Sequence, residues 1–186
     1  MLRFALASLI TAGMLGTFVA ADSLAVFTDS EVNAANVFDS GILQIEDSPA
    51  SAAVTLTGMA PGDSVISPLI ITNNGSLPER YAMSTVATNT DAKGLAAQLG
   101  LTIRIKTVAA CSAEDGAIIY GPASLALGLF GSNAQGAQAG DRTLAASAAE
   151  TLCFKVQLPL STGNAFQGAT TTATFTFDAE QTANNP

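Results

Sequence analysis

The sequence predicts an all-β protein of about seven to nine antiparallel strands, of the sandwich or barrel class. Three observations predict it. Apolar and polar residues alternate with a period of two through most of the chain, which points successive side chains to opposite faces of a sheet. Clusters of Gly, Pro, Asn and Asp punctuate those stretches, where turns need fixed or positive φ. Beyond the amino terminus, helical spacing is confined to one stretch, Asn89 to Leu99, where NTDAKGLAAQL offers capping residues and then LxxxL. One short helix is expected there.

The clearest strands are read directly from the alternation. Leu101, Ile103 and Ile105 oppose Thr102, Arg104 and Lys106. Leu152, Phe154, Val156 and Leu158 oppose Thr151, Cys153, Lys155 and Gln157. From Thr171 onward, Ala173, Phe175, Phe177 and Ala179 alternate with Thr172, Thr174, Thr176 and Asp178. Such strands bury one face and leave the other wet. Weaker strands are expected at Val37 to Ile45, Ala52 to Leu56, Ser64 to Thr72, Tyr81 to Thr88 and Ile118 to Tyr120. Pro61-Gly62-Asp63 and Asn73-Asn74-Gly75 separate some of them. Asn74-Gly75 is expected to supply the positive φ of a tight hairpin. Pro68 cannot donate to a ladder, so it marks an edge or a bulge. Gly121 to Ala149, rich in Ala, Gly, Ser and Gln, reads as a long loop with one short strand at Ser124 to Leu129. The polar tail Thr182 to Pro186 is expected to fray.

The first 25 residues read as a secretory signal. Arg3 is followed by Phe4 to Ala21, a run without charge until Asp22. The run of about 18 residues is long for a signal's apolar core and just at the threshold for a spanning helix, so a retained anchor stays open. Two cuts fit the small residues: after Ala21, and between Ala25 and Val26. A signal implies export, and the only contact with a membrane then runs through the uncleaved segment.

Composition narrows the chemistry. The 186 residues, less the signal, suit one domain with one core. Charged residues are 12% of the chain, and the net charge is −8, which leaves no basic footprint for nucleic acid. The chain contains no histidine. That removes Ser-His-Asp and Cys-His nucleophilic mechanisms and zinc sites of the HExxH kind. Glycosidase-like carboxylate pairs normally add aromatic platforms, and here there is no Trp and only Tyr81 and Tyr120. No catalytic residue, cofactor site or metal site is expected. Asp22, Asp29, Glu31, Asp39, Glu46 and Asp47 gather carboxylates near the mature start, but without a DxDxDG loop they read as solvated surface. Asp141-Arg142 and Glu114-Asp115-Gly116 read as turn chemistry.

The two cysteines, Cys111 and Cys153, suggest a disulfide in an exported chain, with free thiols as the alternative. The alternation puts Cys153 on the outer face of its strand, so a bridge would clip the segment after Val108 onto the outside of the sheet.

Three stretches resemble the TasA and camelysin family of secreted proteins. Leu24-Ala25-Val26-Phe27-Thr28-Asp29-Ser30-Glu31 followed by Asn36-Val37-Phe38-Asp39-Ser40-Gly41-Ile42-Leu43-Gln44-Ile45 is similar to the motif after the family's cut. Met59-Ala60-Pro61-Gly62-Asp63 and Thr72-Asn73-Asn74-Gly75-Ser76 resemble its PGD turn and N-x-G-S hairpin. Phe166-Gln167-Gly168-Ala169 and the strand ending at Glu180-Gln181 resemble its closing segment. The resemblance implies a jelly-roll-like sandwich, cleavage before Val26, and a subunit of extracellular matrix fibres. It also implies donor-strand assembly with further copies of itself or with matrix proteins. The donor's apolar side chains would be Val26, Phe27, Val32, Val37 and Phe38, within an amino-terminal region 26–45 ahead of a sandwich at 46–181. A monomeric secreted binding module is the alternative. The family's metallopeptidase label has no histidine to rest on here.

Overall fold

A computed structural model describes residues 39–50, 54, 57–107, 110–112 and 116–185. Within the unit Ser40–Pro186, the described residues form nine strands in two antiparallel sheets, a β-sandwich. The first sheet takes β1 (Ile45–Ser48), β2 (Ser64–Asn73), β8 (Ala149–Gln157), β4 (Gly100–Ile105) and β5 (Ile118–Ser124), in that spatial order. The second centres on β3 (Glu79–Thr88). Along its whole length β3 pairs with β9 (Thr172–Gln181). Its other side carries β7 (Arg142–Leu144) at one end and β6 (Leu129–Phe130) further along.

The core follows the alternation. Leu69 and Ile71 from β2, Leu101 and Ile103 from β4, and Leu152 and Phe154 from β8 meet Tyr81 and Met83 from β3, and all are buried. Phe154 and Phe175 touch across the two sheets, ring centroids 4.9 Å apart. Tyr81 packs edge-on against Phe130 at 5.9 Å, the favoured geometry for aromatic pairs.

Several expectations change in the structure. The expected strand Val37 to Ile45 contains no strand between residues 39 and 44, and pairing begins only at Ile45. Instead, Ile42 docks on a turn: its N–H donates to Ser76 Oγ at 2.9 Å, and its carbonyl accepts from Ser76 N–H at 2.9 Å. The expected strand Ala52 to Leu56 lies outside the described residues except for Val54, which is not in a strand. Asn73-Asn74-Gly75 turns the chain, but it carries β2 into the other sheet rather than into a hairpin. Gly75 does not take a positive φ. It is needed because a Cβ would lie 2.3 Å from the Ile42 carbonyl oxygen. The Asn73 side chain is buried, accepting from Gly75 N–H at 2.8 Å and donating to the Leu77 carbonyl at 2.8 Å. The stretch Gly121 to Ala149 is not one long loop. It completes β5, makes a 3-10 turn at Leu125–Leu127, and supplies β6 and β7.

Other readings stand. Ala60-Pro61-Gly62-Asp63 closes a turn through an Asp63 N–H to Ala60 carbonyl bond of 3.0 Å, with Gly62 at φ 101°, as a type II turn requires. The described pairing of β2 with β1 stops at Ile70, so Pro68 sits on a locally free edge. The short helix α1 is one turn, Leu95–Gln98, with Asn89 Oδ1 accepting from Ala96 N–H at 3.0 Å. The tail, expected to fray, is instead tethered past Gln181: Thr182 N–H donates to the Pro78 carbonyl at 3.1 Å, and Arg80 donates to the Asn185 carbonyl.

Candidate functional site

One edge and one groove stand out. Among the described residues β9 pairs only with β3, so its other side presents ten residues of unpartnered ladder. Open edges of this length are templates for a further strand. Beside it, a groove of about 1080 Å³ runs between the sheets at the end of the sandwich. Its apolar lining includes Met59, Leu95, Leu158, Phe166, Ala173 and Phe175. Ala173 and Phe175 belong to β9 itself, so the free ladder and the groove share one strand. The edge of β2 is less receptive, because Pro68 interrupts its donors.

The lip of the groove is positioned by a half-buried aspartate, Asp91. Asp91 accepts from Lys93 N–H at 3.0 Å and from Thr170 N–H at 2.7 Å, and these backbone bonds, Lys93 first, hold its pKa below the usual range. Lys93 Nζ reaches the Gln167 carbonyl at 2.6 Å. Together they fasten the 167–170 segment, on the groove's rim, to the loop before α1.

A second polar constellation lies between the sheets. Tyr81 Oη donates to Glu150 Oε1 at 2.5 Å, and Arg142 Nε donates to the same oxygen at 2.7 Å. A second Arg142 nitrogen pairs with Glu150 Oε2. The Glu150 hydrogen bonds raise the guanidinium's pKa, while burial, followed by Glu150, pushes the Tyr81 phenol upward. A bidentate pair with a shared phenol fixes geometry more than it supplies reactivity. Glu150→Gln is expected to lower stability by roughly 2 kcal/mol, since it leaves a half-buried guanidinium without its counter-charge. Urea denaturation reads the change; an unaltered midpoint would mean that water replaces the pair at no cost.

The sequence-predicted site residues divide between two outcomes. Cys111 and Cys153 are bonded, with Cα atoms 5.4 Å apart. Cys153 sits on the outer face of β8 as expected, yet it is only 2% exposed, because the bridged segment lies over it. Ala25, Val26, Phe27, Val32, Val37 and Phe38 lie outside the described residues. Of the amino-terminal carboxylates, Asp39, Glu46 and Asp47 are exposed, and Asp22, Asp29 and Glu31 lie outside the described residues. Asp141 performs turn chemistry, accepting from Ser132 N–H at 2.9 Å and Gln138 N–H at 2.7 Å. Glu114 and Asp115 are outside the described residues.

The camelysin metallo-endopeptidase family profile matches residues 3–185. The chain belongs to the camelysin family. No curated protein matches it. Among solved structures, a family 123 glycoside hydrolase from Clostridium perfringens is similar at 10% identity and a TM-score of 0.35. That match covers 67% of this chain and 20% of the hydrolase, so the chain spans about a fifth of that enzyme.

The family's description implies a catalytic metal, and the donors among the described residues do not fit one. The chain has no histidine, and both cysteines are consumed in the disulfide. Glu150 is committed to Arg142 and Glu180 to Arg80, and Asp91 and Asp141 to backbone N–H groups. Among the described residues no three acidic, cysteine or histidine side chains gather as a metal would need. A peptidase zinc takes three protein ligands and keeps one open position, a set the described residues do not assemble.

Proposed function

We propose that this camelysin-family protein is a secreted structural subunit rather than a peptidase, exported by its amino-terminal signal and assembling into extracellular fibres by strand addition. The observation that supports it most is the ten-residue edge of β9, unpaired among the described residues, running beside an apolar groove. The segment from Val26 to Phe38 is the strand that fits: thirteen residues fully extended reach about 43 Å, enough to follow a ten-residue edge of about 34 Å. Paired as a strand, Val26, Val32 and Phe38 would place apolar side chains in the groove of a neighbouring copy and Phe27 and Val37 would cover the other face, while the backbone completes the β9 ladder. Each added copy leaves the same edge open, so contacts run head to tail.

The groove also favours a second reading, a monomeric module that binds an apolar ligand, because its volume matches that of small-molecule sites. Electron microscopy and sedimentation of two purified chains separate the readings, one beginning at Val26 and one at Asp39. Fibres from the first and none from the second are expected. A chain beginning at Val26 that stays monomeric, and is no more stable than the shorter one, would overturn assembly. A casein-hydrolysis assay with and without chelator is expected to show no metal-dependent activity.

A further inference from the structure

Glu79 sits at the start of β3 with the same inward facing as Tyr81 and Met83, and none of its surface is exposed. Both carboxyl oxygens are buried without a hydrogen-bond partner among the described residues. Its register partners are Leu144 on β7 and Gln181 on β9, neither of them charged. The charged groups of the surrounding elements are engaged elsewhere. Tyr81 of β3, Arg142 of β7 and Glu150 of β8 bind one another. Arg80 of β3 and Glu180 of β9 pair at 2.7 Å on the opposite face. Glu46 and Asp47 of β1 are exposed, Asp178 of β9 faces outward beside Ala82, and Asn73, at the end of β2, is uncharged and spends its amide on carbonyls.

A carboxylate in that position would be a buried charge with neither counter-ion nor donor among the described residues, whereas the neutral acid loses far less on burial. The elements around it are also the ones least able to resist. β7 has three residues, and the tail is attached through Pro78, next to Glu79, by the bond from Thr182. Short elements with few contacts open before the whole domain does. We infer that Glu79 is a proton-operated latch on this corner of the sandwich: as a neutral acid it keeps β7 and the tail packed, and on losing its proton it opens them to water.

Burial, with no opposing interaction, pushes the Glu79 carboxyl up to about 7. The sign follows from that direction. The closed form holds the proton more tightly than the opened form, whose carboxyl is ordinary. Opening therefore becomes easier as pH rises from the ordinary carboxylate range to about 7, and then levels off.

Amide hydrogen exchange of Thr143, Leu144 and Thr182 tests this. After correction for intrinsic exchange chemistry, their protection is expected to fall roughly fifty-fold between pH 5 and pH 8 in the natural chain, and to stay flat in Glu79→Gln. Protection that does not change with pH in the natural chain, or that changes equally in Glu79→Gln, would overturn the latch. If Glu79→Gln does not fold, the carboxyl 13C shift of Glu79 in the natural chain decides. Titration well above the usual carboxylate range supports the latch, and titration at the ordinary value rules it out.

Discussion

Truncation of Phe154 to alanine is expected to destabilise the domain by roughly 3–5 kcal/mol, the range for deleting a fully buried aromatic ring. Phe154 is 0% exposed and lies on β8 between Ser67 of β2 and Ile103 of β4. Its ring meets Phe175 of β9 at 4.9 Å, so it is packed within one sheet and anchors it to the other. Removal leaves a cavity at the point where the sheets touch, and both sheets are too rigid to collapse into it. Against a typical total of about 5–15 kcal/mol, the loss leaves a marginal domain, visible as a large drop in the urea midpoint. A shift below about 1 kcal/mol would mean that the two sheets do not meet at this ring. Because Phe175 also lines the groove, the same change is expected to loosen the groove's floor.

Reduction of Cys111–Cys153 is expected to cost roughly 4 kcal/mol, from the chain entropy of a closed loop spanning 42 positions. The comparison to make is thermal unfolding of the oxidised chain, the chain in reductant, and a Cys111→Ser, Cys153→Ala double variant. The double variant and the reduced chain are expected to unfold at similar, lower temperatures, with a steeper urea dependence than the oxidised chain because their unfolded states are freer to expand. Equal melting temperatures for all three would show that the 106–117 segment holds to the sheet without its bridge. The half-buried Ile105 N–H to Ala117 carbonyl bond of 3.0 Å and the Lys106 N–H to Thr151 carbonyl bond of 2.9 Å would then be sufficient.

How much of the fold could be read in advance depended on strand length and on which face was buried. β2, β3, β4, β8 and β9 each carry enough residues for alternation to show, and each was expected within a few positions. β6 and β7 have two and three residues, too few for any period, so the stretch that holds them reads as loop. β1, with sequence IEDS, defeats the pattern for a different reason. It is an edge strand, and an edge tolerates carboxylates that a central strand would not. Ile42 and Leu43 look like strand residues, but they are 60% and 42% exposed and follow the turn at Ser76.

The polar interior was harder to anticipate. Glu79 and Arg80 follow Pro78, and a charged pair after a proline reads as surface. Only the register with β7 and β9 turns Glu79 inward. Glu150 stands at the start of β8, where nothing local shows that the Tyr81 hydroxyl needs an acceptor. The groove was invisible for the same reason, since its lining comes from residues far apart in the chain, from Met59 to Phe175. The edge of β9, by contrast, could be foreseen as a strand from its alternation; that it has no second partner among the described residues could not.

The disulfide has a mechanical consequence. Cys111 and Cys153 enclose β5, β6, β7 and the first half of β8, while β1 to β4 and β9 lie outside the loop. Tension applied through the two ends of the chain passes across the bridge, from one cysteine to the other, and never along the enclosed segment. About 140 Å of contour length is thereby withheld from extension while the bridge is intact. A stretched, oxidised molecule gives up its outer strands and stops, and the inner loop acts as slack released only by a reductant.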